Sequence, residues 1–269
     1  MDNLSRISAA AVVAACFAAA VAHAECTREG LLAAAASYLT AQSTGSIEGL
    51  PLATENFTYQ ENNAAADIGS GILTQAIPID LNRTTADTVE CASYTMIISA
   101  SGATPYVIGA QIRHPPSDVD TSQIALIDTI AATTGDLFFD AAKTLSYISA
   151  EDWGEIPPES DRRPTREELR RVGDAYLDMW TDAGAADSIP WGTDCERVEG
   201  SALTRPCGAT LPRGGSATPN GNRRYVIDET VGSVDVLCSF DSLGSLPDSH
   251  EVRIEAGLVK YVHTITVMS

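Results

Sequence analysis

One feature limits the fold more than any other: the chain writes nearly the same helix twice. CTREGLLAAAASYLTAQ starts at Cys26 and PTREELRRVGDAYLDMW at Pro164. Thr27, Arg28, Glu29, Leu31, Tyr38 and Leu39 recur as Thr165, Arg166, Glu167, Leu169, Tyr176 and Leu177, each 138 positions later. In the second copy, Leu169, Val172, Tyr176, Leu177 and Trp180 share one helical face, and Thr165 with Glu168 spells a T-x-x-E capping box. The likeness continues beyond the helix. IPWGTDCERVEG parallels LPLATENFTYQEN, DETVGSVDVLCSF parallels DTVECASYTMIIS, and GLVKYVHTITV parallels SQIALIDTIAAT. These later runs are rich in Val, Ile, Thr and Tyr, as strands are. A period this long is no solenoid repeat; it indicates a duplicated domain.

The expected fold class is therefore α+β: two tandem units, each packing helices on a curved antiparallel sheet. The boundaries read as 25–134 for the first unit and 165–269 for the second. Residues 135–164 hold a connecting helix and the Pro- and charge-rich linker IPPESDRRP.

Ahead of the first unit, residues 1–24 read as a signal peptide. Arg6 supplies the positive start, ISAAAVVAACFAAAVA the apolar run, and Ala22-His23-Ala24 the small-residue cleavage site. A secreted, extracellular protein is expected. Of the cysteines beyond that point, Cys26 is expected to join Cys91 and Cys195 to join Cys207, leaving Cys238 as a buried thiol amid an apolar strand. Asn56 and Asn82 head N-x-T sequons and are expected glycosylation sites. The net charge of −19, with Lys143 and Lys260 the only lysines, argues against nucleic acid or an anionic membrane as partner. The expected partner is a small molecule, and the expected state a monomer, or a pseudo-dimer within one chain.

The opening YL helices, the strand in ENFTYQENN and the closing EAGLVKYVHTITV resemble the SnoaL-like, nuclear-transport-factor-2-like cone fold. CTREG, PYVIGAQIR, PWGTDC, NRRYVIDETVGSVDV and PDSHEVRIEAG resemble a family of secreted fungal proteins whose domain has no assigned function. The first resemblance implies a sheet curved around an internal pocket and cofactor-free acid–base chemistry; the second implies no reaction.

Chemistry points to the second unit. DSHEVRIEAGLVKYVHTIT reads as a hairpin turning at Ala256-Gly257. A two-residue turn pairs Glu255 with Leu258 and, counted back, His250 with His263. Both would share an apolar face with Val252, Ile254 and Tyr261, while Glu251, Arg253 and Glu255 face water. A three-residue turn would set His250 opposite Val262 instead. Two neutral imidazoles on an apolar face can serve as general acid and base; they can also be hydrogen-bonded core residues. Asp228 and Glu229 adjoin in a strand and point to opposite faces; an inward carboxylate, here Asp228, can orient a histidine or take a proton, and the alternative is an outer ion pair with Arg223 or Arg224. Tyr176, Trp191, Tyr225 and Tyr261 are the expected pocket lining. The first unit carries Ile108 and Asp128 where His250 and His263 are expected. His114, before two prolines, is given no role. Nucleophile-elbow, Walker and dinucleotide motifs are missing, as is a His-rich metal constellation, so neither metal nor cofactor is expected. The reading is a cofactor-free isomerase, dehydratase or β-eliminating lyase, or alternatively a secreted ligand-binding or cell-wall module without catalysis.

Overall fold

The computed structural model describes residues 26–115 and 121–268. The proposed signal peptide lies outside them. Two mixed six-stranded sheets are built to one plan. The first runs β2-β1-β6-β5-β4-β3, from β1 (Thr58–Glu61), β2 (Ala64–Ala65), β3 (Leu81–Asp87), β4 (Ala92–Ser99), β5 (Tyr106–Arg113) and β6 (Leu126–Thr133). The second runs β8-β7-β12-β11-β10-β9, from β7 (Trp191–Glu199), β8 (Ala202–Thr204), β9 (Gly221–Asp228), β10 (Ser233–Phe240), β11 (Leu246–Glu255) and β12 (Leu258–Thr266). The sheets are not purely antiparallel as expected: β1 lies parallel to β6, and β7 to β12. Such a pairing needs a long crossover, which the intervening hairpins supply.

Each unit opens with the repeated helix. In α1 (Arg28–Thr44), Thr27 accepts from the backbone N–H of Gly30. In α3 (Arg166–Asp178), Thr165 and Glu168 close the full capping box. α1 buries Leu31, Ala34, Ala35 and Tyr38; α3 buries Leu169, Val172, Tyr176 and Leu177. These faces make two of the three cores, one under each helix. The third lies between the sheets, where Tyr94, Met96, Ile98 and Ile130 of the first meet Val198, Val226, Leu237 and Ile265 of the second. α2 (Ala141–Ile148) joins this core through Ala141 and Ile148. The order of layers is helix, sheet, sheet, helix. At Gly109 any side chain would strike the Tyr94 hydroxyl and Ser249, which are 3.2 Å apart across the interface.

The repeated Thr-Arg-Glu now has a structural reason. Arg166 of the second unit donates to both carboxylate oxygens of Asp87 in the first, at 2.7 and 2.8 Å. Arg28 of the first donates to Asp228 of the second at 2.6 Å. Asp87 also accepts the N–H of Ile227 at 2.9 Å, and Asp228 that of Ala86 at 2.8 Å. Each unit lends an arginine to the last residue of the other's β3 or β9. This reciprocity is that of an isologous two-fold interface, here inside one chain.

The disulfides Cys26–Cys91 and Cys195–Cys207 are formed, and Cys238 is a buried thiol. Asn56 and Asn82 are exposed. No helix of the described residues is long and apolar enough to cross a membrane.

Candidate functional site

The hairpin turns where expected. Ala256 and Gly257 both have positive φ, 54° and 74°, and Glu255 pairs with Leu258. The register then slips. Ile254 pairs with Val259 but Arg253 pairs with Tyr261, so Lys260 is a one-residue bulge. A bulge reverses the facing of every residue beyond it. His250 therefore lies opposite Thr264, and His263 opposite Glu251. The two histidines look out of opposite faces of the sheet, and the expected imidazole pair is not built.

His263 faces the first sheet. Its Nδ1 is 3.1 Å from Glu251 and its Nε2 2.9 Å from Glu151. Arg83 of β3 reaches Glu251 at 3.1 Å, His263 at 3.0 Å and Glu151 at 3.4 Å. Trp153 closes the cluster, 3.6 Å beneath the Arg83 guanidinium and stacked on Tyr261. Burial alone would lower the His263 pKa, but the two carboxylates outweigh it and hold it above the ordinary value. Burial would raise Glu151 and Glu251; His263 and Arg83 hold both below the usual range. The face expected to be wet is thus the interface, where Glu251 and Arg253 are buried. The cluster pins residues 151–154 between the sheets, since Arg253 also donates to the carbonyls of Asp152 and Gly154.

His250 faces the other way, into the cone between the second sheet and α3. It lines a cavity of about 210 Å³ with Trp180, Arg197, Phe240, Thr264 and Thr266. Its ring packs on Tyr176, Trp180 and Phe240, with centroids 5.3, 6.2 and 5.6 Å away. Nε2 lies 2.9 Å from Asp248, at ion-pair distance but off the line a hydrogen bond needs, and Nδ1 has no hydrogen-bond partner among the described residues. Burial holds the Asp248 carboxyl above its ordinary pKa, and His250 offsets part of that rise. Cys238 pairs with Asp248 across β10 and β11. Ligand atoms of Cys238, Asp248 and His250 lie within 4.8 Å of one another, close enough to share a metal ion. Burial, reinforced by Asp248, pushes the Cys238 thiol well up, so without metal it is a thiol.

The other expected site residues fall elsewhere. Among the described residues Asp228 orients no histidine; its partners are Arg28, Ala86 and Thr230. Arg223 and Arg224, offered as its outer partners, bind Asp174 with Asp178, and Asp128. Tyr176 backs the cavity behind His250 and donates to Glu199 at 3.1 Å. Trp191 packs edge-on against Tyr176 and donates to Ala186. Tyr225 donates to Asp174 beneath Arg170, and Tyr261 lies in the interface. Trp180, Phe240 and Arg197 line the cavity unforeseen. The helical face had already singled out Trp180; nothing in the sequence marked Arg197.

Register also shows what the first unit holds at the matching places. The hairpins start alike, with Asp87 opposite Ala92 and Asp228 opposite Ser233. Counting three pairs along, Thr95 with Ala110 stands where Val236 stands with His250. Ile97 with Ile108 likewise stands for Cys238 with Asp248. The counterpart of His250 is therefore Ala110, not Ile108; that of His263 is Asp128, as expected, since Gln111–Asp128 matches Glu251–His263. Tyr59, opposite Ile127, takes the place of Arg197 opposite Val262. The first unit fills its cone with Ile97, Ile108, Ala110 and Tyr59.

A family model described as "Domain of unknown function (DUF8021)" matches residues 162–266, which hold α3, the second sheet and the cavity lining apart from Leu137 and Phe138. No curated protein matches the chain.

Proposed function

We propose that the second unit is a small-molecule site in which His250, with Asp248, moves a proton without a cofactor, in an isomerisation, dehydration or β-elimination. The observation that carries this reading is the contrast between the two cones. The same fold packs Ala110, Ile108 and Ile97 where the second unit buries His250, Asp248 and Cys238. Burying polar groups costs stability, so three together, where apolar residues serve the fold, indicate a use other than folding. A buried imidazole at ion-pair distance from a carboxyl and open to a cavity is placed to give and take a proton. The resemblance to SnoaL-like proteins supports the same class. The first unit then serves as a structural half, and the disulfides and exposed sequons favour a secreted protein.

The test incubates the protein with extract of its producing culture and seeks a mass-neutral or minus-water change. That change should vanish in His250→Ala and persist after dialysis against a chelator. A change lost on chelation alone would transfer the site to metal chemistry. A wild-type protein that transforms nothing leaves the non-catalytic ligand-binding reading.

A further inference from the structure

Arg197 is 2 % exposed, yet its guanidinium is far from satisfied. Nη2 donates to the Ala209 carbonyl at 2.9 Å and toward the Thr210 hydroxyl at 3.4 Å. Nε sits 3.5 Å from Glu199 without hydrogen-bond geometry, and Nη1 has no well-aligned hydrogen bond among the described residues, with the Tyr176 hydroxyl beside the guanidinium. A guanidinium carries five N–H donors, and buried donors left open are costly. This one lines the cavity that holds His250. The hydroxyl-bearing Thr264 and Thr266 line it too, and Trp180 and Phe240 give it an apolar wall.

The rim is apolar and exposed. Phe138 is 60 % and Leu243 48 % exposed, and both line the cavity with Leu137 and Pro212. Phe138 is built into place rather than stray. Its carbonyl accepts the N–H of Ser201 at 2.8 Å, and Gly200, with φ 58°, lies so close that any side chain would strike the carbonyls of Leu137 and Phe138. Glu199 lines the cavity beside Arg197, so the floor is an arginine–glutamate pair in which the arginine keeps open donors, with hydroxyls beside it and an apolar mouth.

We infer that the ligand of this cavity is a small carboxylic acid with a single-ring or short-chain apolar body, its carboxylate held by Arg197 and its body lying between Trp180, Phe240, Phe138 and Leu243. Arginine binds carboxylates through directed N–H donors, and an anion here fills the donors that Glu199 leaves open. The cavity is smaller than the ~300–1,000 Å³ of drug-sized sites, which limits the body. The inference deepens the proposed function by naming its substrate class, but it needs no turnover to be true.

The experiment titrates the whole protein with benzoate, cinnamate and hexanoate and with the three matching amides, read by Trp fluorescence and ligand-observed NMR. At least one acid should bind, and at least tenfold more tightly than its amide. Arg197→Tyr should fold, because Tyr59 occupies the same place against Glu61 in the first unit, and it should lose at least tenfold in acid affinity. Binding is read without turnover, so a wild type that binds an acid but transforms nothing in culture extract sinks the catalytic reading and leaves this inference standing. Amides binding as well as acids, no acid binding at all, or an unchanged affinity in folded Arg197→Tyr would each overturn it. The acid–amide comparison uses only the wild type, so it decides the matter even if a variant fails to fold.

Discussion

Replacing Arg166 by Met removes one arm of the reciprocal arginine exchange and leaves Asp87 behind. Asp87 is fully buried and Arg166 only one quarter exposed, so this is not a surface ion pair. Removing one partner of a buried pair costs about 3–5 kcal/mol, because the remaining charge is uncompensated. Two features lower the figure. Asp87 keeps the backbone N–H groups of Val89, Glu90 and Ile227, and the exposed part of Arg166 lets water approach. The expected loss is about 3 kcal/mol. With a urea m value near 3 kcal/mol/M, the midpoint falls by about 1 M. Arg205→Met is the control: its 2.7 Å bridge to Glu196 is more than half exposed at the arginine, so the urea midpoint should barely move. Adding Asp87→Asn to Arg166→Met should recover part of the loss, giving a coupling of about 2 kcal/mol. A loss below about 1 kcal/mol for Arg166→Met, or no coupling, would refute the claim that the exchange holds the units together.

The remaining predictions concern the histidines and cysteines. The raised His263 pKa stabilises the fold fully below about 6.5, the unfolded value, and that share is lost as pH rises through the folded value; the lowered Glu151 and Glu251 stabilise above about 4.5 and lose their share as pH falls. Stability should therefore peak between about pH 5 and 6.5, and His263→Gln should flatten the alkaline side; a mutant curve parallel to the wild type above pH 6.5 would contradict this. His250→Ala should change stability by less than about 2 kcal/mol in denaturant melts, because Ala110 shows that the fold accepts alanine there; a larger loss would make His250 a core residue. Cys238 should resist maleimide in the native state and react on unfolding, and Cys238→Ile should fold, given Ile97 at the matching position; prompt native labelling would count against the buried placement. Replacing Cys26 and Cys91 together by Ser should cost about 2–4 kcal/mol in the same melts, since the bridge closes a loop of 65 residues; an unchanged midpoint would show that the bridge adds nothing.

Local chemistry made the duplication, the two helix starts, the disulfide pairs and the turn at Ala256-Gly257 legible in the sequence. A capping box, a repeated Thr-Arg-Glu and a two-residue turn each act over a few residues, so spacing alone reveals them. The parallel β1–β6 and β7–β12 pairs were not legible, because partners so far apart in sequence leave no local pattern. The bulge at Lys260 was hidden for a subtler reason. One unpaired residue leaves the alternation of VRIEAGLVKYVHTIT looking intact, yet it turns Tyr261 and His263 toward the other unit and leaves His250 in the cone. The same blindness made Glu251 and Arg253 read as solvent-facing. Charges on alternate positions usually mean water, and only a second sheet laid against that face makes them an interface. Arg197 gave no signal because its importance lies in what it fails to touch. An unsatisfied buried guanidinium exists only once the sheet, the loop at Ala209 and the carbonyl of Phe138 have closed around one cavity.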